Sequence, residues 1–139
     1  MIYTTGYTGL KIEKLIAKVE ELDAFIIDIR IKPWSRNKTW GQSNFIRTFK
    51  EKYIAGGEFF GNLNYRAPIE QAELKNYAGG LKMIEKLLNG EDKNIIFICM
   101  CKDREDCHRK IIAANLEKAG IGVRELDYTI YPPLAQEKT

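Results

Sequence analysis

The chain has 139 residues and a mass of 16.0 kDa, the size of one domain with its own core. Hydrophobic residues make up 45% and charged residues 29%, which excludes a wholly disordered chain, and the longest apolar run, Ile95 to Cys101, is far shorter than the ~20 residues that span a bilayer. The net charge of +3 is too small for binding driven by overall charge, and the first residues lack the basic and apolar regions of a signal peptide, so a cytoplasmic location is expected.

In chain order, residues 2–5 read as a short strand ended by Gly6 and Gly9. Ile12, Leu15, Ile16, Val19 and Leu22 recur at helical spacing and predict an amphipathic helix over 10–22. Residues 24–30 form an apolar strand with Asp28 and Arg30 at its end, and Pro33 and the polar residues to Lys38 make a loop. Ser43 is the expected cap of a helix carrying Phe45, Ile46, Phe49 and Tyr53 on one face. Gly56 and Gly57 break it, residues 58–60 are assigned a short strand, and 61–69 look irregular. Helical spacing resumes at Leu74 and Tyr77, is interrupted at Gly79 and Gly80, and runs on to Leu88. The most apolar strand, 94–99, is expected at the sheet centre; a helix stopped by Gly120 and a strand over 121–126 follow it.

Strands alternating with helices predict a single three-layer α/β domain over 1–130, a mostly parallel sheet with helices on both faces, followed by an extended or frayed tail over 131–139. In such sheets ligands bind beyond the carboxyl ends of the strands. Tyr7, Asp28, Arg30, Cys99, Cys101, Cys107, His108 and Arg109 all fall at strand ends or at the start of the helix after the fourth strand. Their convergence on one edge is the expected site.

All three cysteines lie between residues 99 and 107, and His108 is the only histidine. An odd, clustered set is no disulfide framework. Three readings compete. Cys99, Cys101, Cys107 and His108 are ligand types that suit zinc, although C-x-C is a poorer chelate than the usual C-x₂₋₄-C. A cysteine is alternatively a nucleophile, with His108 or Asp28 handling protons; Asp106 as helix cap puts Cys107 in the first turn, where it is expected to be the most exposed thiol. The third reading makes Cys99 a core residue. Asp28 and Arg30 share a strand face and are placed to pair.

The segment 30–52 carries seven cations, one acid and both tryptophans, Trp34 and Trp40, leaving the rest of the chain at −3. Cations interleaved with aromatics suit phosphates and stacked bases. The favoured ligand is therefore phosphate-bearing, a nucleotide or a nucleic-acid end. It is expected at the start of the helix near Cys107, held by Arg30, Ser35, Arg36 and Arg109 with Tyr7 nearby. No cofactor is expected beyond the zinc alternative; an enzyme is favoured, and the alternatives are a zinc-bearing binding module using the cysteine cluster and a non-catalytic nucleic-acid-binding accessory protein using residues 30–52.

The motifs Thr5-Gly6-Tyr7, then Asp28-Ile29-Arg30 with Pro33 and Ser35-Arg36, then Cys99 and Cys107-His108-Arg109 resemble the bacterial and archaeal domain-of-unknown-function family 488. Its members look like T-[IG]-G-[YH], D-V-R-x-x-P-x-S-R, and a strand ending in Cys followed eight residues later by C-H-R. The match spans roughly residues 4–126, and Asn62 after Gly61 resembles the family's L-G-G or L-G-N turn. Many members carry Glu where this chain has Cys101. The resemblance implies a compact α/β domain with a shared site and supplies no reaction.

Overall fold

The computed structural model describes residues 1–91 and 93–128; the expected tail over 131–139 lies outside them. Five strands form one parallel sheet, β1 (Ile2–Gly6), β2 (Phe25–Asp28), β3 (Tyr53–Ala55), β4 (Ile95–Cys99) and β5 (Val123–Glu125), in the spatial order β3-β2-β4-β1-β5. The helices are α1 (Ile12–Leu22), α2 (Gln42–Phe49), α3 (Gly57–Phe60), α4 (Tyr77–Leu88) and α5 (Arg109–Lys118). None of them is long and apolar enough to cross a membrane.

Alternation along the strands sorts the core onto two faces. Ile27, Ile95 and Phe97 pack with Phe60 of α3, Ile84 of α4 and Ile112 and Leu116 of α5. Ile26, Ile96 and Ile98 pack with Leu15 and Val19 of α1 and Phe45 and Phe49 of α2. β4 is buried throughout, the central strand its apolar run predicts.

Sheet order and helix placement define the crevice. The connections leaving β1 and β2 run over the α1/α2 face, whereas the one leaving β4 runs over the α5 face. Neighbouring chain segments therefore diverge around the carboxyl end of β4, the switch-point geometry that opens a ligand site in parallel sheets.

Four local expectations are corrected. Helix α2 ends at Phe49 because Lys50 adopts φ 53°, so Tyr53 starts β3 instead of extending the helix, and Ile46 is exposed. Ser43 is not its cap; Gly41 holds that position. Residues 57–60 are helical, which turns Phe60 into the core. Helix α4 runs unbroken through Gly79 and Gly80 from an Asn76 cap, and Gly80 lets it lie on Phe60, whose ring would stand 2.5 Å from a Cβ there.

Candidate functional site

Two buried assemblies, one on each face of the sheet, meet at the carboxyl end of β4. On the α1/α2 face, Asp28 and Arg30 pair as alternation predicts. Asp28 is 1% exposed, and its carboxylate accepts four hydrogen bonds: from the Arg30 backbone N–H (3.2 Å), Nε (2.8 Å) and Nη2 (2.6 Å), and from the Tyr53 hydroxyl (2.8 Å). Burial, then the adjacent Asp28 charge, pushes the Tyr53 phenol up, so it stays a donor. Arg30 Nη1 donates to the Trp40 carbonyl (2.5 Å) and the Tyr7 hydroxyl (3.4 Å), and its guanidinium faces the rings of Tyr7 and Phe45. Tyr7 in turn stacks on Trp40 with centroids 4.7 Å apart. With four donors on its four acceptor positions, Asp28 has none left to take a substrate proton. The pair is a clamp that fixes the chain leaving β2 to the chain leaving β1, which corrects the expectation of Asp28 as a proton carrier.

On the α5 face, the chains leaving β1 and β4 are laced together. The Tyr7 and Thr8 backbone N–H groups donate to the carbonyls of Cys99 and Met100, and the Thr8 hydroxyl also donates to Met100. Gly6 makes this approach possible: a Cβ there would fall 1.6 Å from the Cys101 carbonyl oxygen. Cys99 continues the inward parity of β4, and the turn after it swings Cys101 back over the same face. The Sγ atoms of Cys99, Cys101 and Cys107 lie within 4.8 Å of one another, a group able to hold a metal ion. Cys99 and Cys107 are buried and Cys101 is half-buried.

Arg109 braces this cluster from inside. The residue is 0% exposed, and all five of its side-chain N–H groups are engaged. Nε and Nη2 form a bidentate pair with Glu125 at 3.2 and 2.7 Å. Nη1 donates to Cys99 Sγ (3.2 Å) and to the Cys101 carbonyl (2.8 Å), and Nη2 also donates to the Lys102 carbonyl (3.1 Å). Its backbone N–H points at Cys107 Sγ (3.5 Å). Arg109 thus has no donor left for an anion.

The helix start differs from expectation as well. Asp106 ends a 3₁₀ turn, His108 occupies the cap position of α5, and Cys107 precedes the helix, 1% exposed. Cys107 is therefore not the exposed thiol; Cys101 is the more accessible sulfur. The N–H groups of Arg109, Lys110 and Ile111 already meet Cys107 Sγ, the Cys107 carbonyl and the His108 carbonyl, so the start of α5 offers no open anion site.

His108 Nε2 lies 3.0 Å from the Ile29 carbonyl. A carbonyl only accepts, so Nε2 carries the proton and Nδ1 is left bare, 3.9 Å from Cys107 Sγ. Burial holds the His108 pKa below its ordinary value, favouring the neutral ring. Among the sulfurs, contact with Cys107, then with Cys99, holds Cys101 well below a free thiol, while contact with Cys101 raises both partners.

Beside the sulfurs opens a cavity of about 320 Å³, lined by Cys99, Met100, Cys101 and His108 and by Tyr7, Arg30, Ile31, Lys32 and Trp34. Tyr65, Ala67 and Ile69 line it too, with Asn62 and Asp106. Tyr7, Arg30, Cys99, Cys101 and His108 thus converge as expected, with Cys107 and Arg109 bonded in behind them. Ser35 and Arg36 do not reach the cavity; they line an adjoining groove. Sequence reasoning missed Glu125, which carries the far end of Arg109, and the wall from 65–69, which has no periodicity to read.

A family model described as a domain of unknown function, DUF488, matches residues 11–116. No curated protein and no solved structure matches the chain.

Proposed function

We propose that this chain, which belongs to the DUF488 family, is a metal-thiolate enzyme that presents one zinc ion to a ligand in the cavity. The observation that carries the reading is the convergence of three cysteine sulfurs, free of disulfides, two of which, Cys99 and Cys101, line the cavity. Zinc–sulfur bonds of about 2.3 Å put tetrahedral sulfurs about 3.8 Å apart, so the cluster closes by at most about 1 Å on binding. Cys101, beyond the end of β4, is the ligand with room to make that adjustment. Two N–H donors from Arg109 already point at Cys107 and Cys99, the kind of outer contact that stabilises metal-bound thiolates. Three protein ligands leave a fourth position for water or ligand, the pattern of catalytic rather than structural zinc. Lewis-acid polarisation is the chemistry it would supply. The ligand carries phosphate, held by the exposed cations beside the cavity rather than by Arg30 or Arg109.

Elemental analysis of protein purified without chelator tests this, with about one zinc per chain expected. Cobalt(II) substitution should give the visible absorption of a tetrahedral thiolate site, lost in Cys101→Ser and Cys107→Ser. A chain that takes up neither metal overturns the reading. It leaves a second one, favoured by Cys101 being the least buried thiol and lining the cavity, in which its thiolate is a nucleophile. Brief iodoacetamide labelling then modifies Cys101 ahead of Cys99 and Cys107; zinc should suppress labelling at all three if the first reading holds.

A further inference from the structure

The cations of segment 30–52 divide in the fold. Arg30 turns inward onto Asp28, and Lys52 pairs with Asp23. Lys32, Arg36, Lys38 and Arg47 instead line one groove of about 810 Å³, and no acidic residue lines it with them. Among the described residues, none of these four has a carboxylate within ion-pair distance. The groove is continuous with the sulfur-floored cavity, because Ile31, Lys32 and Trp34 line both.

Trp34 stands at that junction and is 73% exposed, an unusual position for the largest apolar side chain. Tyr65, which lines the same cavity, is 47% exposed, with Lys32 and Arg66 over its ring at 5.8 and 5.5 Å. Aromatic faces beside cations with no carboxylate partner among the described residues, at a cavity near the small end of ligand-site volumes, suit one planar base joined to a polyanionic backbone.

We propose that the groove lined by Lys32, Arg36, Lys38 and Arg47 binds the backbone of a single-stranded nucleic acid, and that Trp34 and Tyr65 pass one base into the cavity. This rests on the reading above for the chemistry at the cavity floor and deepens it by naming the substrate class. A paired base cannot enter the cavity without leaving its stack, which favours single strands over duplex.

The test is fluorescence anisotropy with labelled oligothymidylate and oligouridylate, titrated over salt concentration. Four phosphate contacts on a single strand predict a log–log slope of about −3, or about a 50-fold loss between 50 and 200 mM salt. Arg36→Glu with Arg47→Glu, both exposed and away from the sulfurs, should reduce the slope to about −1.5 and weaken binding at least tenfold. Intrinsic fluorescence should be quenched by the strand, and Trp34→Phe should remove the quenching, because Trp40 is buried under Tyr7. Protein stripped of metal by a chelator should keep the same salt slope and the same sensitivity to the double variant, because the four groove cations lie apart from the sulfurs, so failure of the metal reading and failure of this one are separately visible. Salt-independent binding, tighter binding to duplex than to single strand, equal binding of polyglutamate, or no change in the double variant would each overturn the proposal.

Discussion

Asp28→Asn is the sharpest probe of the site's architecture, because the side chain keeps its size and loses only charge and acceptor capacity. Three of the four hydrogen bonds on the wild-type carboxylate come from Arg30 and the fourth from Tyr53. An amide there turns a donor toward donors and leaves the Arg30 guanidinium, itself 7% exposed, without its counter-charge. Removing one partner of a buried ion pair costs about 3–5 kcal/mol. Arg30 retains the Trp40 carbonyl, the Tyr7 hydroxyl and two ring faces, which places the expected loss near ~3 kcal/mol. In urea, with m about 1–3 kcal/mol/M, that is a midpoint drop of about 1–3 M by far-ultraviolet circular dichroism. Asp28→Asn with Arg30→Met removes both charges and should be about 1–2 kcal/mol less damaging than the single change, because no buried charge is left unpaired. The clamp assignment is refuted if Asp28→Asn unfolds within about 0.5 kcal/mol of wild type. It is also refuted if the double variant is as unstable as the sum of the singles.

Gly6→Ala should cost about 3 kcal/mol, the upper part of the overpacking range, because the added Cβ meets the Cys101 backbone rather than a movable side chain; denaturant unfolding and zinc content should fall together. Arg109→Lys should destabilise by about 3–5 kcal/mol, since one ammonium cannot replace a five-donor fork that holds Glu125, two carbonyls and a sulfur; a melting temperature unchanged from wild type would contradict the bracing role. His108 predicts a pH effect whose sign follows from its lowered folded-state pKa. The unfolded chain takes up the proton first, near pH 6.5, so the neutral ring contributes its stability in full above that value. That contribution is lost as the pH falls from about 6.5 toward the folded-state pKa, and His108→Gln should flatten this acid limb of melting temperature against pH.

What the sequence carried well was periodicity and alternation. The run from Ile95 reads as the central strand, α1 follows its apolar spacing, and the Asp28–Arg30 pair follows from two residues on one strand face. What it could not carry was direction. Arg109 beside Cys107 and His108 looks like an anion ligand, and only the packing of α5 against β1 and β5 turns it inward; its partner Glu125 belongs to a strand whose charged residues look exposed. The early end of α2 rests on a lysine at positive φ, a conformation that residue type does not signal, so the sequence points to a third strand at 58–60 where the fold has Tyr53–Ala55. The cavity wall at 65–69 comes from chain without regular spacing and was invisible for that reason.

Arg30 and Arg109 are both buried and bonded to carboxylates, and that placement has a physical consequence. A buried pair such as Arg30–Asp28 seldom stabilises a fold more than apolar residues of the same volume would, and a buried arginine bonded to the exposed Glu125 gains still less, so neither contributes much that Leu or Met could not. What they contribute is position. Arg30 bonds the chain leaving β2 to Tyr7 and Trp40, and Arg109 bonds the chain leaving β4 to β5. Each fixes a loop that lacks regular secondary structure, and together they set the Tyr7 ring and the Cys101 sulfur on opposite sides of β4's end. An apolar replacement supplies volume but no directed bond to those carbonyls, so the loops would keep their burial and lose their register. The sulfur cluster needs that register, because three thiols can share a tetrahedral ion only when their separations are already within about 1 Å of the final geometry.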